Sequence, residues 1–132
     1  MVTIERQNPP GLHTPPGYHH VTVAVSNRTV YLAGQCPLTG DGSVVEGLLP
    51  QVDQVVANVA AALAFAGASP ADVVRTVIYV VTEDRSELSE VWDRLTDSEI
   101  GAAFSSASTL LGVAQLGYPG QLVELDVTAA LD

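Results

Sequence analysis

The sequence predicts a two-layer α+β domain in which two helices pack on one face of a β-sheet. Three features indicate this fold: a long helical pattern that runs directly into a long strand pattern, a second helical pattern after that strand, and a final strand with clear alternation. The predicted order is strand, strand, helix, strand, helix, strand, strand. Because no internal repeat or low-complexity tract interrupts this order, we expect a single domain over residues 1–132.

The first helix is predicted over residues 50–66. Apolar residues recur there at the three-and-four spacing of a single helical face. They are Val52, Val55, Val56, Val59, Leu63 and Ala66. Asp53 and Asn58 are expected to point away from that face. Pro50 suits the first helical position, and Gly67 suits the left-handed conformation that ends a helix.

The central strand is predicted from Val73 to Val81, after a one-turn cap over residues 69–72. This run is rich in β-branched and aromatic residues, which favour strands. It is apolar on both faces, so we expect both faces to be covered.

The N-terminal part is predicted as an extended arm followed by a hairpin. Residues 1–17 contain four prolines and two glycines, which exclude a helix. Val21–Val25 and Thr29–Ala33 are two β-prone runs, and Asn27 between them tolerates the positive φ of a tight turn. These two runs are expected to pair with each other, and a loop is expected over residues 36–48.

The second half of the chain adds a second helix and two strands. The helix carries an apolar face, with Ser86 as its candidate N-cap. That face consists of Leu88, Val91, Trp92 and Leu95. Strands are predicted over residues 108–116 and 122–129.

The last strand shows the alternation of a sheet with one buried face. One set of residues, expected to pack against the helices, is Val123, Leu125, Val127 and Ala129. The other set is Leu122, Glu124, Asp126 and Thr128. Leu122 and parts of the neighbouring strands would leave an apolar patch exposed on a monomer, so we expect a homo-oligomer.

The composition restricts the partners. With 15 acidic and 5 basic residues and a net charge of −10, the chain repels phosphate backbones, so nucleic acid is not an expected partner. All five basic residues are arginine, which excludes a lysine Schiff base and a P-loop lysine. Because we identify neither a signal pattern nor an apolar run that approaches a membrane span, we expect no membrane association and a cytoplasmic location.

We expect no cofactor and no metal ion. His19 and His20 are adjacent, so on a strand they would point to opposite faces, and His13 is the only other histidine. Cys36 cannot form an internal disulfide because it is the only cysteine. It is a weak candidate nucleophile, since no base is evident near it in the sequence.

Several short pieces of sequence, taken in order, match the pattern of a known family. They are Tyr18 after Pro16-Gly17, Ala33-Gly34-Gln35 followed by Pro37, Gln51, Asn58, Gly67-Ala68-Ser69, Asp72-Val73-Val74, Tyr79-Val80 and Leu122-Val123-Glu124-Leu125. In their order and spacing, the chain resembles the RidA family, also called YjgF/YER057c/UK114, over nearly all its length. The resemblance implies a chorismate-mutase-like fold with a mixed sheet, assembled as a homotrimer that binds a small molecule in a cleft between each pair of neighbouring subunits.

The resemblance also implies a reaction. Characterised RidA proteins hydrolyse reactive enamines and imines, such as 2-aminoacrylate, to a 2-oxo acid and ammonia. A family arginine at the start of the penultimate strand grips the substrate carboxylate, and a glutamate on the last strand helps to hold the attacking water. The glutamate matches Glu124, our candidate catalytic residue. The candidate substrate-binding residues are Tyr18, Ala33, Gln35, Trp92, Ser108 and Thr109.

The family arginine has no counterpart in this sequence. Alignment of the strand places Ser108 at that position, and a slip of one residue would offer only Ala107 or Thr109. An asparagine that some members carry on the second helix is replaced by Trp92. A serine donates one neutral hydrogen bond, whereas a guanidinium donates two charge-assisted ones, so the loss should cost about 10² to 10⁴ in binding and positioning.

Two functions stand open, and two others fit the sequence poorly. The first is a hydrolase of imines or enamines that lack the usual carboxylate, and the second is a non-catalytic trimer that binds a metabolite or a partner. Chorismate-mutase chemistry would need cationic groups for a dianionic substrate, and none is found in the right strands. Ribonuclease activity, once attached to the family, fits poorly with a net charge of −10 and no lysine.

Individual residues also have purely structural interpretations. Glu124 is otherwise an exposed strand carboxylate, and Tyr18 anchors the arm by packing. Ser108 and Thr109 are common residue types at the start of a strand. Gln35 satisfies backbone groups at a strand end, which is the interpretation we favour, and Trp92 at its helical spacing is more often a core residue.

Overall fold

The computed structural model describes residues 1–132 and contains a mixed β-sheet covered by two helices. The strands are β1 (Thr3–Gln7), β2 (Val21–Val25), β3 (Arg28–Tyr31), β4 (Val73–Val81), β5 (Ala107–Val113) and β6 (Val123–Leu131). The helices are α1 (Leu48–Ala66) and α2 (Arg85–Thr96), with 3₁₀ turns at Pro70–Asp72 and Gly101–Ser105. The main sheet has the order β3-β6-β4-β5, in which only β4 and β5 are parallel. The predicted α+β fold class is confirmed.

Helix α1 supplies much of the core through the face that its spacing predicted. Val52, Val55, Val59 and Leu63 are fully buried or nearly so. The helix starts at Leu48, two residues earlier than expected, so Pro50 occupies the third helical position. Gly67 ends it with φ of 83°, the left-handed conformation that glycine adopts without strain.

Two polar residues of α1, Asn58 and Gln51, bind backbone groups of neighbouring segments. The Asn58 side chain donates hydrogen bonds to the carbonyls of Cys36 and Leu38, both at 3.0 Å. Gln51 is 1% exposed and binds backbone groups of the 45 and 120–122 segments. These two side-chain amides therefore attach the loop before α1 and the turn before β6 to the helix. They do so because buried backbone groups need hydrogen-bond partners.

By length and composition, α1 could also cross a membrane, with 19 residues and a mean hydropathy of 1.4. The prediction that no apolar run approaches a span was therefore wrong. The apolar stripe of α1 belongs to the hydrophobic core formed with the sheet, and a core helix meets the same criteria as a spanning one.

The centre of the sheet is the antiparallel pair of β4 and β6, in which Tyr79 lies opposite Glu124 and Val77 opposite Asp126. Ile78, Val80, Val123 and Leu125 are fully buried and face the helices. Their neighbours along each strand face the other way. This second face, which we call the open face, carries no helix, and on it Leu111 of β5 remains 41% exposed.

The predicted hairpin of β2 and β3 is wrong. Strand β2 pairs with β1, and β3 pairs with β6. The predicted arm contains β1, and the exposure of residues 3–7 alternates as it does in a strand. The prolines that follow β1 led the sequence prediction to an extended arm without a strand. Arg6 ties β1 to the main sheet, since its guanidinium donates to the Ser106 hydroxyl at 2.8 Å and to the Ala71 carbonyl at 2.9 Å.

The start of α2 also differs from the prediction. Asp84, not Ser86, is the N-cap, and its carboxylate accepts a hydrogen bond from the Ser86 N–H at 2.8 Å. Both residue types suit this position, so the sequence did not distinguish them. Strand β5 ends three residues before the predicted limit, and β6 continues two residues beyond it.

Candidate functional site

Most of the predicted substrate-binding residues line one cavity of about 700 Å³ between the edge strand β5, helix α2 and the N-terminal arm. Its lining consists of Pro16, Tyr18, Ser89, Trp92, Asp93, Ser108, Thr109 and Leu110. Four predicted residues, Tyr18, Trp92, Ser108 and Thr109, thus come together. Its volume lies within the usual range for small-molecule pockets.

The aromatic wall of the cavity consists of Tyr18 and Trp92. Their ring centroids are 6.1 Å apart with the rings nearly perpendicular, and Trp92 makes a second edge contact with the buried ring of Phe104 at 5.9 Å. Such contacts favour one orientation of the indole ring. Trp92 therefore joins the core on one side and lines the cavity on the other, which combines the two interpretations of this residue.

The Ser108 hydroxyl is already hydrogen-bonded within the protein. It accepts a hydrogen bond from Thr76, which is fully buried, at 2.6 Å. It also lies 3.0 Å from the Ser106 carbonyl, to which it can donate. Because Ser108 lies beside Thr76 in the parallel pairing of β5 with β4, its side chain points to the helix face of the sheet. It serves first as a partner for Thr76.

Thr109 points to the opposite, open face and accepts a hydrogen bond from the Arg75 guanidinium at 2.7 Å. Arg75 is exposed and is not part of the cavity lining. Within one protomer it therefore adds no cationic group to the cavity.

The histidines of the arm support Tyr18. The Tyr18 hydroxyl lies 3.4 Å from His13 Nε2, and His20 Nε2 lies 2.8 Å from the His13 carbonyl. His19 Nδ1 is hydrogen-bonded to the Ser105 carbonyl. The His19 contact holds the arm near the start of β5, and the ring contact of Tyr18 with Trp92 holds it against α2. Tyr18 therefore both anchors the arm and lines the cavity.

Glu124 lies on the open face, on the other side of the sheet from Ser108. Its carboxylate accepts hydrogen bonds from Gln121 Nε2 at 3.2 Å and from the Cys36 thiol at 3.4 Å. The backbone of Gly34 packs directly against it. A single protomer therefore does not bring the predicted catalytic glutamate into the cavity.

Although no base is evident near Cys36 in the sequence, the fold places the Glu124 carboxylate beside it. Burial raises the pKa of the thiol, and the hydrogen bond and negative charge of Glu124 raise it further. Since the thiolate is the reactive form, this environment keeps Cys36 protonated and does not favour it as a nucleophile.

Two residues beyond Glu124 on the same face, Asp126 accepts a hydrogen bond from the Tyr79 hydroxyl at 3.3 Å. Burial raises the pKa of Tyr79, and the charge of Asp126 adds to the effect. The phenol therefore stays a neutral donor. Glu124 and Asp126 together make the centre of the open face acidic.

Ala33 and Gln35 lie beside Glu124, away from the cavity. The Gln35 side chain donates to the Ala33 carbonyl at 3.0 Å, and its backbone pairs with Leu125 of β6. This geometry agrees with the structural interpretation of Gln35. The predicted site residues thus divide into a cavity group on α2, β5 and the arm, and a Glu124 group on the open face.

Comparison with known proteins identifies the family. The family model described as Endoribonuclease L-PSP matches residues 12–131. The crystal structure of YyfB from Yersinia pestis, a protein of unknown function of the conserved Rid protein family, is 34% identical with a TM-score of 0.85. The match covers 97% of this chain and 98% of that one. The chain belongs to the RidA (YjgF/YER057c/UK114) family.

Two further relatives agree with this assignment. YyfA from Yersinia pestis, also a Rid protein of unknown function, is 32% identical with a TM-score of 0.68 and covers 98% of this chain and 99% of its own. A YjgF/YER057c/UK114 protein from Mycobacterium tuberculosis is 29% identical with a TM-score of 0.60 and covers 87% of both chains. A search of curated proteins found no match. The predicted RidA resemblance is confirmed.

Several residues that line the cavity or surround Glu124 were missed from the sequence. Ser89 and Asp93 line the cavity with Trp92, and Ser89 could have been found because residues three apart share a helical face. Gln121 and Gly34 surround Glu124. The position of Gly34 had no such signal, since its contact with β6 depends on the fold of the whole chain.

Proposed function

We propose that this RidA-family protein hydrolyses imines or enamines that carry no carboxylate. The charge of the cavity carries the proposal: no arginine or lysine lines it, and Asp93 is its only carboxylate residue. Within one protomer, a carboxylate-bearing substrate would find no cationic partner there and one like charge. The family resemblance indicates the class of reaction, and the charge of the cavity restricts the substrate to imines and enamines without a carboxylate.

In the proposed reaction, water adds to the carbon of the C=N bond and ammonia leaves. The balanced step is R₂C=NH + H₂O → R₂C=O + NH₃. Glu124 is proposed to hold the attacking water and to accept a proton from it, a role worth about 10² to 10⁴ in rate when general-base catalysis operates. Its carboxylate is already fixed by Gln121 and Gly34, which suits a positioning role.

The proposal requires a homotrimer. In one protomer Glu124 and the cavity lie on opposite faces of the sheet, so a neighbouring subunit would have to bring its open face to the cavity. The uncovered open face supports such an assembly, because Leu111 is 41% exposed there and exposed apolar patches commonly mark interfaces. Each small-molecule site would then lie between two subunits.

A second candidate is a non-catalytic trimer that binds a metabolite or a partner. The observation that favours it is the Ser108 hydroxyl, which is hydrogen-bonded to Thr76 at 2.6 Å. Because this hydroxyl already has protein partners, it is poorly placed to replace the arginine as a substrate clamp. The cavity would then keep its aromatic wall for binding without the positioning that catalysis needs.

The test is ammonia release from freshly generated imines, with and without a carboxylate, by the wild type and by a Ser108→Arg variant. We expect the wild type to act on carboxylate-free imines and to be inert on carboxylate-bearing ones. The variant should gain activity on the carboxylate-bearing imines, because a guanidinium binds a carboxylate in a bidentate pair.

Asn27→Arg is the matched control, because it adds the same charge at an exposed turn outside the cavity. Ser108→Arg also leaves the buried Thr76 hydroxyl without its acceptor, so Thr76→Val should be combined with it if circular dichroism shows unfolding. Wild-type activity on carboxylate-bearing imines would contradict the substrate proposal. No activity on any imine would favour the non-catalytic candidate.

A further inference from the structure

The cavity combines an aromatic wall with an uncompensated negative charge. Trp92 and Tyr18 form the wall, and Asp93 adjoins Trp92 on α2. Asp93 takes part in no ion pair, since the two ion pairs of the chain join Asp53 to Arg94 and the N-terminus to Asp132. No side-chain hydrogen bond neutralises its carboxylate either.

The neighbouring arginine is directed elsewhere. Arg94 follows Asp93 in the sequence, but its guanidinium forms a two-point pair with Asp53 of α1, at 2.8 and 2.7 Å. This pair lowers the pKa of Asp53 through the hydrogen bonds from Arg94. The cation nearest to Asp93 in the sequence is therefore committed to the contact between the helices and is not paired with Asp93.

The other nearby cation of the same protomer is also engaged outside the cavity lining. Arg75 extends over the open face and binds Thr109, and it does not line the cavity. With a net charge of −10, the whole chain adds a field that attracts cations. An aromatic face and a carboxylate in one concave site are the groups that recognise an organic cation.

We infer that the cavity binds a carboxylate-free organic cation, with Trp92 and Asp93 as the residues that set this specificity. The inference rests on the proposed function, which makes the substrate an imine without a carboxylate. The organic cation would then be the protonated imine of a primary amine. Its hydrolysis is R–CH=NH₂⁺ + H₂O → R–CHO + NH₄⁺. A reaction that oxidises a primary amine to its imine would have to supply this substrate.

The test uses benzyltrimethylammonium as a stable cation, benzyl alcohol as a neutral probe and benzoate as an anion. Trp92 is the only tryptophan, so its fluorescence reports binding in the cavity directly. We expect the cation to bind at least about tenfold more tightly than benzyl alcohol, since a desolvated cation–π contact has about that worth. Benzoate should give no saturable change.

Two variants test the specificity residues by calorimetry. Trp92→Leu should weaken cation binding about tenfold. Asp93→Asn should weaken it about threefold to tenfold and reduce its dependence on salt, because an exposed charge acts through a screened field. Glu90→Gln is the matched control, as it removes one charge from the same helix outside this cavity.

The inference is overturned if benzoate binds as tightly as the cation, or if Asp93→Asn behaves like Glu90→Gln. The experiments distinguish failure of this inference from failure of the proposed function. Hydrolysis of imines without cation binding would overturn the inference and keep the hydrolase. Cation binding that depends on Trp92 and Asp93, without release of ammonia from any imine, would keep the binding specificity and overturn the proposed reaction.

Discussion

Gly34 packs so closely against Glu124 that a Cβ built on its backbone would lie 2.3 Å from Oε2 and 2.8 Å from the carboxyl carbon. Atoms that are not bonded to each other do not approach so closely, so the absence of a side chain at position 34 leaves the space that the carboxylate occupies. Glycine here serves close packing, because Gly34 is not among the glycines with positive φ. The loop after β3 therefore shapes the surroundings of the proposed catalytic group on β6.

Gly34→Ala is expected to displace the Glu124 carboxylate while leaving the fold intact. The clash is with the end of a flexible side chain, so the free energy of unfolding should change by less than about 1 kcal/mol, helped by the lower entropy of the unfolded chain. Ammonia release should fall about tenfold to a hundredfold, since small misplacements of reacting groups carry such costs. Thermal unfolding and an ammonia assay measure the two effects.

Gly40→Ala is the control for this prediction. No atom lies within 4 Å of a Cβ at Gly40, and its φ is not positive. This variant should match the wild type in both measurements. Equal activity of the two alanine variants would show that the position of the Glu124 carboxylate does not matter.

Glu124→Gln should fold normally and lose activity. The glutamine keeps an oxygen that accepts from Gln121 but no longer accepts a proton from water, so the rate should fall about 10²-fold or more. Asp126→Asn, two residues along the same face, is the matched control and should retain activity. Circular dichroism checks the fold, and unchanged ammonia release by Glu124→Gln would make the glutamate a bystander.

The regular elements of the fold follow from local patterns. The apolar stripe of α1, the glycine at its end and the alternation of β6 each depend on residues that are near in sequence. Both ends of α1 and both ends of β6 were predicted to within two residues. The pairing of β1 with β2 was not predicted, because the choice of strand partner depends on tertiary contacts such as those of Arg6.

Only part of the membership of the candidate site was predictable. Tyr18, Trp92 and Ser108 were expected to be near each other, and the cavity brings them together. The sequence did not reveal that Ser108 and Glu124 face opposite sides of the sheet. Their faces follow from the registers of β5 and β6 against β4, and shifting a register by one residue would reverse every side chain on a strand.

The thiol of Cys36 should react slowly with iodoacetamide at pH 8. Its pKa is raised by burial and by Glu124, so the reactive thiolate forms only at higher pH, and the rate should keep rising above pH 9. Glu124→Gln removes the negative charge and should lower this pKa, which raises the rate at pH 8 by about threefold to tenfold. Mass spectrometry of the alkylated protein measures the rate.

Asp126→Asn provides the comparison for the alkylation experiment. Asp126 is hydrogen-bonded to Tyr79 and does not contribute to the raised pKa of Cys36, so the rate should stay close to that of the wild type. Slower alkylation in Glu124→Gln than in the wild type would contradict the proposed effect of the carboxylate on the thiol.

The open face should form the subunit interface of a homotrimer. Three chains of 13.8 kDa make about 41 kDa, which light scattering should report for the wild type at micromolar concentration. Leu111→Asp places a charge on the open face and should shift the mass toward that of one chain, because an unpaired charge is costly to bury. Phe65→Asp is the control, since Phe65 is 96% exposed on α1 and should leave the trimer intact. A monomeric wild type would leave Glu124 and the cavity on opposite faces, and the shared site would then be impossible.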